Sequence, residues 1–199
     1  MAANTRAAAD RLRQAGAVVE EVTLPWQLEE IKRAARVHFG AIFGPSVREF
    51  YEQHGDELTS YARRFVTDAG EISKDDLVTG LELEGRIYAP LGALLAEYDA
   101  LICPTFAVPA LPAEYDVDDA ISVNGQPCGD WLDVMMTLPF NIASRCPVLS
   151  VPSGRSRDGD PTGLSVLGKT YDDVTAFQVA AAHERRFPWF DDPARRPAL

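Results

Sequence analysis

One junction near the start of the chain constrains the fold more than any other stretch. An alanine-rich segment, a lone glycine and a run rich in β-branched residues follow one another directly. Residues 3–15 are rich in Ala, Arg and Leu and predict a helix that Gly16 stops. Val18-Val19-Glu20-Glu21-Val22-Thr23-Leu24 then predicts a strand ended by Pro25. Helix, glycine, strand is an α-to-β connection, and it assigns the chain to the α/β class.

The rest of the chain fits that class. Residues 27–43 place Leu28, Ile31, Ala35, His38, Phe39 and Ile42 on one helical face, and Gly44-Pro45 should end or kink that helix before it resumes over 46–53. A short helix is expected over 57–65 and a loop over 67–70. Ser73 is placed to cap the next helix, with Asp75 and Asp76 in the favourable first turn. Leu77, Leu81, Ile87, Leu91 and Leu95 lie along it, and Pro90 should kink or divide it. Residues 100–103 read as a short buried strand closed by Pro104. Residues 104–129 read as mostly irregular, which in a compact domain points to a functional or covering loop. Residues 148–151 and 162–167 form two further strands around the polar turn 155–160. A final helix spans 172–186 with Val174, Phe177 and Ala181 inward, and the tail 188–199 is expected to fray.

Composition excludes several functions. The formal net charge of −11 argues against a nucleic-acid backbone partner, which requires clustered Lys and Arg. No apolar run approaches the length of a membrane span, and residues 1–10 show no apolar signal core. Cys103, Cys128 and Cys146 form no CxxC pair and suit free thiols in a reducing compartment. The reading is a soluble cytoplasmic protein. His38, His54 and His183 show no ligand spacing and are read as helix-surface or boundary residues. No metal site, no cofactor and no phosphate-binding glycine pattern is expected.

A nucleophile is equally hard to find. An activated serine needs a neighbouring base and a cradle of backbone N–H groups, which glycine-rich turns supply. Ser153-Gly154-Arg155-Ser156 lacks the G-x-S-x-G spacing and reads as a turn. Only Lys32, Lys74 and Lys169 occur. Lys32 and Lys74 fall at expected exposed helix positions, and Lys169 follows a strand at the surface. No Asp, Glu or His pair at recognisable spacing supports a self-contained α/β enzyme of another class.

Four ordered segments carry a resemblance. They are Tyr98-Asp99-Ala100-Leu101-Ile102-Cys103-Pro104-Thr105; Thr137-Leu138-Pro139-Phe140-Asn141; Pro147-Val148-Leu149-Ser150-Val151-Pro152-Ser153-Gly154; and Pro161-Thr162-Gly163-Leu164-Ser165-Val166-Leu167-Gly168. In order and spacing they resemble the C-terminal half of the amidase signature family, which hydrolyses or transfers carboxamides with a Ser–Ser–Lys triad. The resemblance extends over residues 1–199. It implies the C-terminal portion of an α/β/α sandwich around a mixed β-sheet. It also implies a carbon–nitrogen hydrolase whose scaffold and pocket wall lie here, with no catalytic residue in this chain.

The implied partners are a small-molecule amide and an N-terminal amidase half, in cis or in trans; a homo-oligomer is compatible with this. The substrate-binding candidates are Thr137, Pro139, Asn141, Trp131, Met135 and Arg86. Thr137 to Asn141 has two readings, a rigid turn before a strand or the lining of the cleft. Trp131 and Met135 share a helical face and read either as core or as the wall of an acyl pocket. The resemblance places a substrate-facing Arg in the helix holding Arg86, whose plain reading is an ion pair with Glu82 or Glu84. Family members that act on glutamine carry an Asp three residues before the Thr. Val134 occupies that position here, with Asp133 one place away, which suggests a less polar amide. The competing reading is a non-catalytic binding protein derived from an amidase.

Overall fold

A computed structural model of the chain describes residues 1–129 and 131–195, apart from the side chain of Ala194, and it is an assembly of helices and short strands. Four helices come first: α1 (Ala2–Gln14), α2 (Leu28–His54), α3 (Ser60–Glu71) and α4 (Lys74–Glu97). They are followed by β1 (Ala100–Pro104), a small hairpin of β2 (Ser122–Val123) and β3 (Gln126–Pro127), and α5 (Leu138–Ala143). The chain closes with β4 (Val148–Arg155), β5 (Pro161–Gly168) and α6 (Asp173–Arg186). These elements form two compact units between which the chain passes four times, once within α4.

The first unit holds Met1–Thr23, Gly92–Ala110 and the chain from Arg145 onward. Its sheet has the order β1-β5-β4, with both pairings antiparallel. The expected hairpin is present: β4 and β5 pair from Val148 opposite Leu167 to Arg155 opposite Pro161, with a register irregularity between Pro152 and Gly154. β5 is central and buried on both faces, as its near-continuous apolar run requires. Leu164 and Val166 pack with Ala8 of α1, Val179 of α6, and Ala100, Ile102 and Val151 of the flanking strands.

Two expectations fail in this unit. Residues 18–24 form no strand; no described strand pairs with them, and Val18 is 88% exposed. The run is rich in β-branched residues, but a strand exists only with a ladder partner. The segment is held by side chains instead: the Tyr98 hydroxyl donates to Glu20, and Arg13 donates to the Val19 carbonyl at 2.8 Å. On α6 the inward residues are Ala176, Ala180 and His183, whereas Val174 and Phe177 face out, Phe177 at 62% exposure. Small side chains let α6 approach α1 closely, and that approach sets its rotation. In the tail, Trp189 is buried and Arg195 lies 4.3 Å from the Phe187 ring centre; residues 196–199 lie outside the described residues.

The second unit holds Leu24–Leu91 and Leu111–Ser144. Its core joins Ile31, Ala34 and Ala35 of α2 with Leu83 and Ile87 of α4, Leu132, and Leu138 and Ile142 of α5. Leu28 and Ile42, expected on the inner face of α2, are half-exposed, and Val37, Gly40 and Gly44 are buried in their place. Neither Gly44-Pro45 nor Pro90 interrupts its helix. An interior proline costs about 3 kcal/mol of helix stability. Tertiary packing outweighs that cost for α2, because Gly40 and Gly44 form a smooth strip against which Ala69 of α3 lies. The same contact carries α3 through residues 67–70, where the sequence suggests a loop. Thr59 caps α3 by accepting the Ala62 N–H at 3.2 Å. Ser73 caps α4 as expected, its hydroxyl accepting the Asp76 N–H at 3.1 Å.

Candidate functional site

Residues 129–143 carry five of the six sequence candidates, and all lie in the second unit. The stretch begins where the Gly129 N–H donates to Asp133 Oδ2 at 2.8 Å. A 3-10 turn, Trp131–Val134, follows. Leu132 and Val134 point into the core, and Trp131, partly buried, packs against that core and meets Tyr61 edge-on at 5.1 Å between ring centres. Burial raises the Tyr61 hydroxyl above its ordinary pKa. Met135 packs on the same core and donates its N–H to the Leu132 carbonyl at 3.2 Å.

The chain then enters α5 directly. Thr137 precedes the helix, and its carbonyl accepts the N–H groups of Phe140 at 3.1 Å and Asn141 at 3.0 Å. The rigid turn suggested for Thr137 to Asn141 is therefore the first turn of a helix. Proline is favourable there, because its missing N–H has no intrahelical partner to lose. Pro139 is buried and Asn141 is exposed. Ser144 ends the helix with a φ of 45°, and its N–H reaches the Phe140 carbonyl at 2.9 Å. Arg86 reaches across to Glu30 of α2 at 3.2 Å, because α4 and α2 pack closely where Val37 lies against Gly80.

Next to Trp131 lies a shallow indentation of about 20 Å³, lined by Phe39, Phe65, Arg36, Arg64 and Asp68 among others. It holds roughly one water molecule, too little for a substrate. Arg64 is committed to Asp68 at 3.2 Å and Asp118 at 3.5 Å. Phe39, Phe43, Phe65, Tyr61 and Trp131 form a continuous aromatic series with centre-to-centre distances of 4.9–6.5 Å. Most of these contacts are edge-on or tilted, the arrangement that the ring quadrupoles favour.

Lys32 departs most from its sequence reading. The helical pattern puts it on an exposed face, yet it is only 6% exposed. Its ammonium lies 2.8 Å from Asp133 and 2.9 Å from Glu29. Burial alone would lower its pKa, but the hydrogen bonds and charges of Asp133 and Glu29 outweigh burial and hold the ammonium above its ordinary value. Lys32 is therefore a cation rather than a base. The Glu29–Lys32 spacing is visible in the sequence but is equally common on solvated helices. Lys74 is exposed, as expected, and Lys169 is half-exposed, its ammonium 3.9 Å from Asp99.

A second polar group lies inside the first unit. Ser153 Oγ and Thr162 Oγ1 are 2.8 Å apart across the β4–β5 pair, and Asn4 Nδ2 donates to Thr162 Oγ1 at 2.8 Å. The Ser153 hydroxyl is committed to that network. His183, read from sequence as a surface or boundary residue, is instead 1% exposed. It lies inward because α6 is rotated by its small residues. The described residues contain no group of three or more His, Cys, Asp or Glu able to hold a metal ion, and no helix long and apolar enough to cross a membrane.

Comparisons with known proteins agree with the architecture. A family model described as Amidase matches residues 1–177. Among curated relatives, a glutamyl-tRNA(Gln) amidotransferase subunit of Lactococcus lactis subsp. lactis is 29% identical over 202 residues, covering 89% of this chain and 40% of the relative. The corresponding protein of a Cyanothece species is 36% identical over 107 residues, covering 54% of this chain and 20% of the relative. Among solved structures, a bacterial aryl acylamidase of the amidase signature family superposes with a TM-score of 0.77 at 22% identity, over 98% of this chain and 43% of that one. The glutamyl-tRNA(Gln) amidotransferase subunit of Thermotoga maritima gives 0.62 at 25% identity, over 94% and 39%. The chain thus spans less than half the length of these proteins.

Proposed function

The chain belongs to the amidase family, and from that premise we propose that it is the C-terminal half of an amidase domain hydrolysing carboxamide C–N bonds. In this reading residues 1–199 supply scaffold and one wall of the substrate pocket. The Ser–Ser–Lys apparatus belongs to polypeptide outside them, joined in cis or associating in trans. The match of the family model to residues 1–177 carries the reading. Two features of the chain support it. Its lysine nearest the candidate stretch is a buried, doubly paired cation, and its buried Ser153 is spent on a strand-to-strand hydrogen bond with Thr162. Neither offers the base or the activated hydroxyl that nucleophilic attack requires.

Residues 131–141 are the proposed wall. Trp131 and Met135 offer apolar surface against the acyl part of an amide, Pro139 fixes the first turn of α5, and Thr137 and Asn141 flank it with polar side chains. A less polar amide than glutamine fits, since Val134 is buried in the core and the carboxylate of Asp133 is held by Lys32. Catalysis would proceed by serine attack on the carboxamide carbon, with the amine or ammonia leaving, and water would then cleave the acyl-enzyme to the carboxylic acid and free the serine. This chain's part is to orient the acyl group. The reading places the protein in the cytoplasm, where Cys103, Cys128 and Cys146, all unpaired, stay reduced.

The test is complementation. Co-expression with an N-terminal amidase half carrying the Ser–Ser–Lys residues should give a complex that hydrolyses aryl or alkyl amides in preference to glutamine. Activity should vanish when the attacking serine of that half becomes alanine. A stable complex without amide hydrolysis would contradict the reading.

A further inference from the structure

We propose that Lys32 is a positioning residue of the pocket wall, acting through Asp133 to fix the turn that presents Trp131. This rests on the reading of residues 131–141 as the wall. Lys32 sits on α2, beside Ile31, Ala34 and Ala35, which anchor that helix in the core. Its ammonium is 2.8 Å from Asp133 Oδ1, with the two side chains 8% and 12% exposed. The other oxygen of the same carboxylate accepts the Gly129 N–H at 2.8 Å. One nearly buried carboxylate is thus held from two sides: by a long helix, and by the residue from which the turn sets out.

The neighbours of Asp133 make this a register device. Leu132 and Val134 are both buried, and Trp131 precedes them. Sliding the turn by one residue would bring Leu132 or Val134 to the Lys32 ammonium. It would also leave a buried carboxylate without its cation. An uncompensated buried charge is far costlier than a misplaced methyl group, so the ion pair selects one register. Buried ion pairs add little net stability over apolar replacements, and holding a register is their best-attested use. Trp131, and with it the entry to α5, is thereby set at one rotation relative to Tyr61.

The test uses two variants of the full chain. Lys32→Met takes from the nearly buried Asp133 carboxylate the ammonium that lies 2.8 Å from it. The double variant Lys32→Met/Asp133→Leu replaces the pair with apolar side chains and keeps the fold where the single variant fails to fold. In the double variant, amide exchange at Met135 should rise at least about tenfold, while exchange in the middle of α2 stays at the wild-type rate. In the complex with an N-terminal amidase half, KM for the amide should rise about tenfold with kcat within about twofold, a split that general destabilisation does not produce. Wild-type exchange at Met135 in the double variant would overturn the role of Lys32. Faster exchange with unchanged KM would instead overturn the pocket-wall reading.

Discussion

His183 Nε2 lies 3.0 Å from the carbonyl oxygen of Pro152, tying α6 to β4 from inside the first unit. Nε2 must carry the proton in that bond, which leaves Nδ1 as a buried acceptor without a partner among the described residues. Burial pulls the imidazole pKa below its ordinary 6.5; the bond to Pro152 opposes this, Arg11 of α1 adds to it and Glu184 of α6 opposes it.

A folded-state pKa below the unfolded one means that the unfolded chain binds more protons as the pH falls. The contribution of His183 to stability is therefore complete above about pH 6.5 and is lost progressively as the pH drops toward the folded value. Thermal melts from pH 8 to pH 5 should show Tm falling below about pH 6.5. His183→Gln, which keeps an N–H donor but does not titrate, should flatten that part of the profile. An identical slope in the variant would rule His183 out as its source.

Helices α2 and α3 meet through glycine. A Cβ at Gly44 would overlap the Cβ of Ala69 and approach the Phe65 carbonyl oxygen to 3.1 Å, whereas one at Gly70 meets nothing within 4 Å. Gly44→Ala should destabilise the second unit by roughly 1–3 kcal/mol through overpacking. Gly70→Ala should be neutral or stabilise it by up to about 1 kcal/mol by restricting the unfolded chain. Denaturant melts of the two variants separate these outcomes, and equal midpoints would contradict the packing.

Cys103 lies in β1 opposite Ser165, and burial pushes its thiol up to about 12. At pH 8 only about one such thiol in ten thousand is ionised, and the thiolate is the reactive form. Iodoacetamide should leave Cys103 unmodified in the folded protein and alkylate it in urea. Peptide mass mapping reads both states. Modification of the folded protein at the urea rate would contradict the burial.

Local structure is legible in the sequence wherever its cause is local. The polar turn at 155–160 marks the β4–β5 hairpin, and the Ser73 hydroxyl marks the start of α4. The Asn124-Gly125 pair, with φ of 53° and 78°, is the usual two-residue hairpin signal and could have revealed β2 and β3 within the expected loop. What stays hidden depends on distant residues. Residues 18–24 are rich in β-branched residues like a strand but have no ladder partner among the described residues. Val174 and Phe177 look like an inner face until the small residues of α6 set its rotation. Lys32 looks solvated until Asp133, far along the chain, comes to its ammonium. The candidate stretch is marked by its Thr-x-Pro-x-Asn pattern, but its helical form emerges only from packing against α2.

The attacking group, on this account, lies outside these residues. Residues 1–199, purified alone and cleared of host amidases, should release no amine from an acyl anilide above the buffer rate. Turnover that persists through purification and disappears in Ser153→Ala would show that the chain carries its own nucleophile, and would contradict the account.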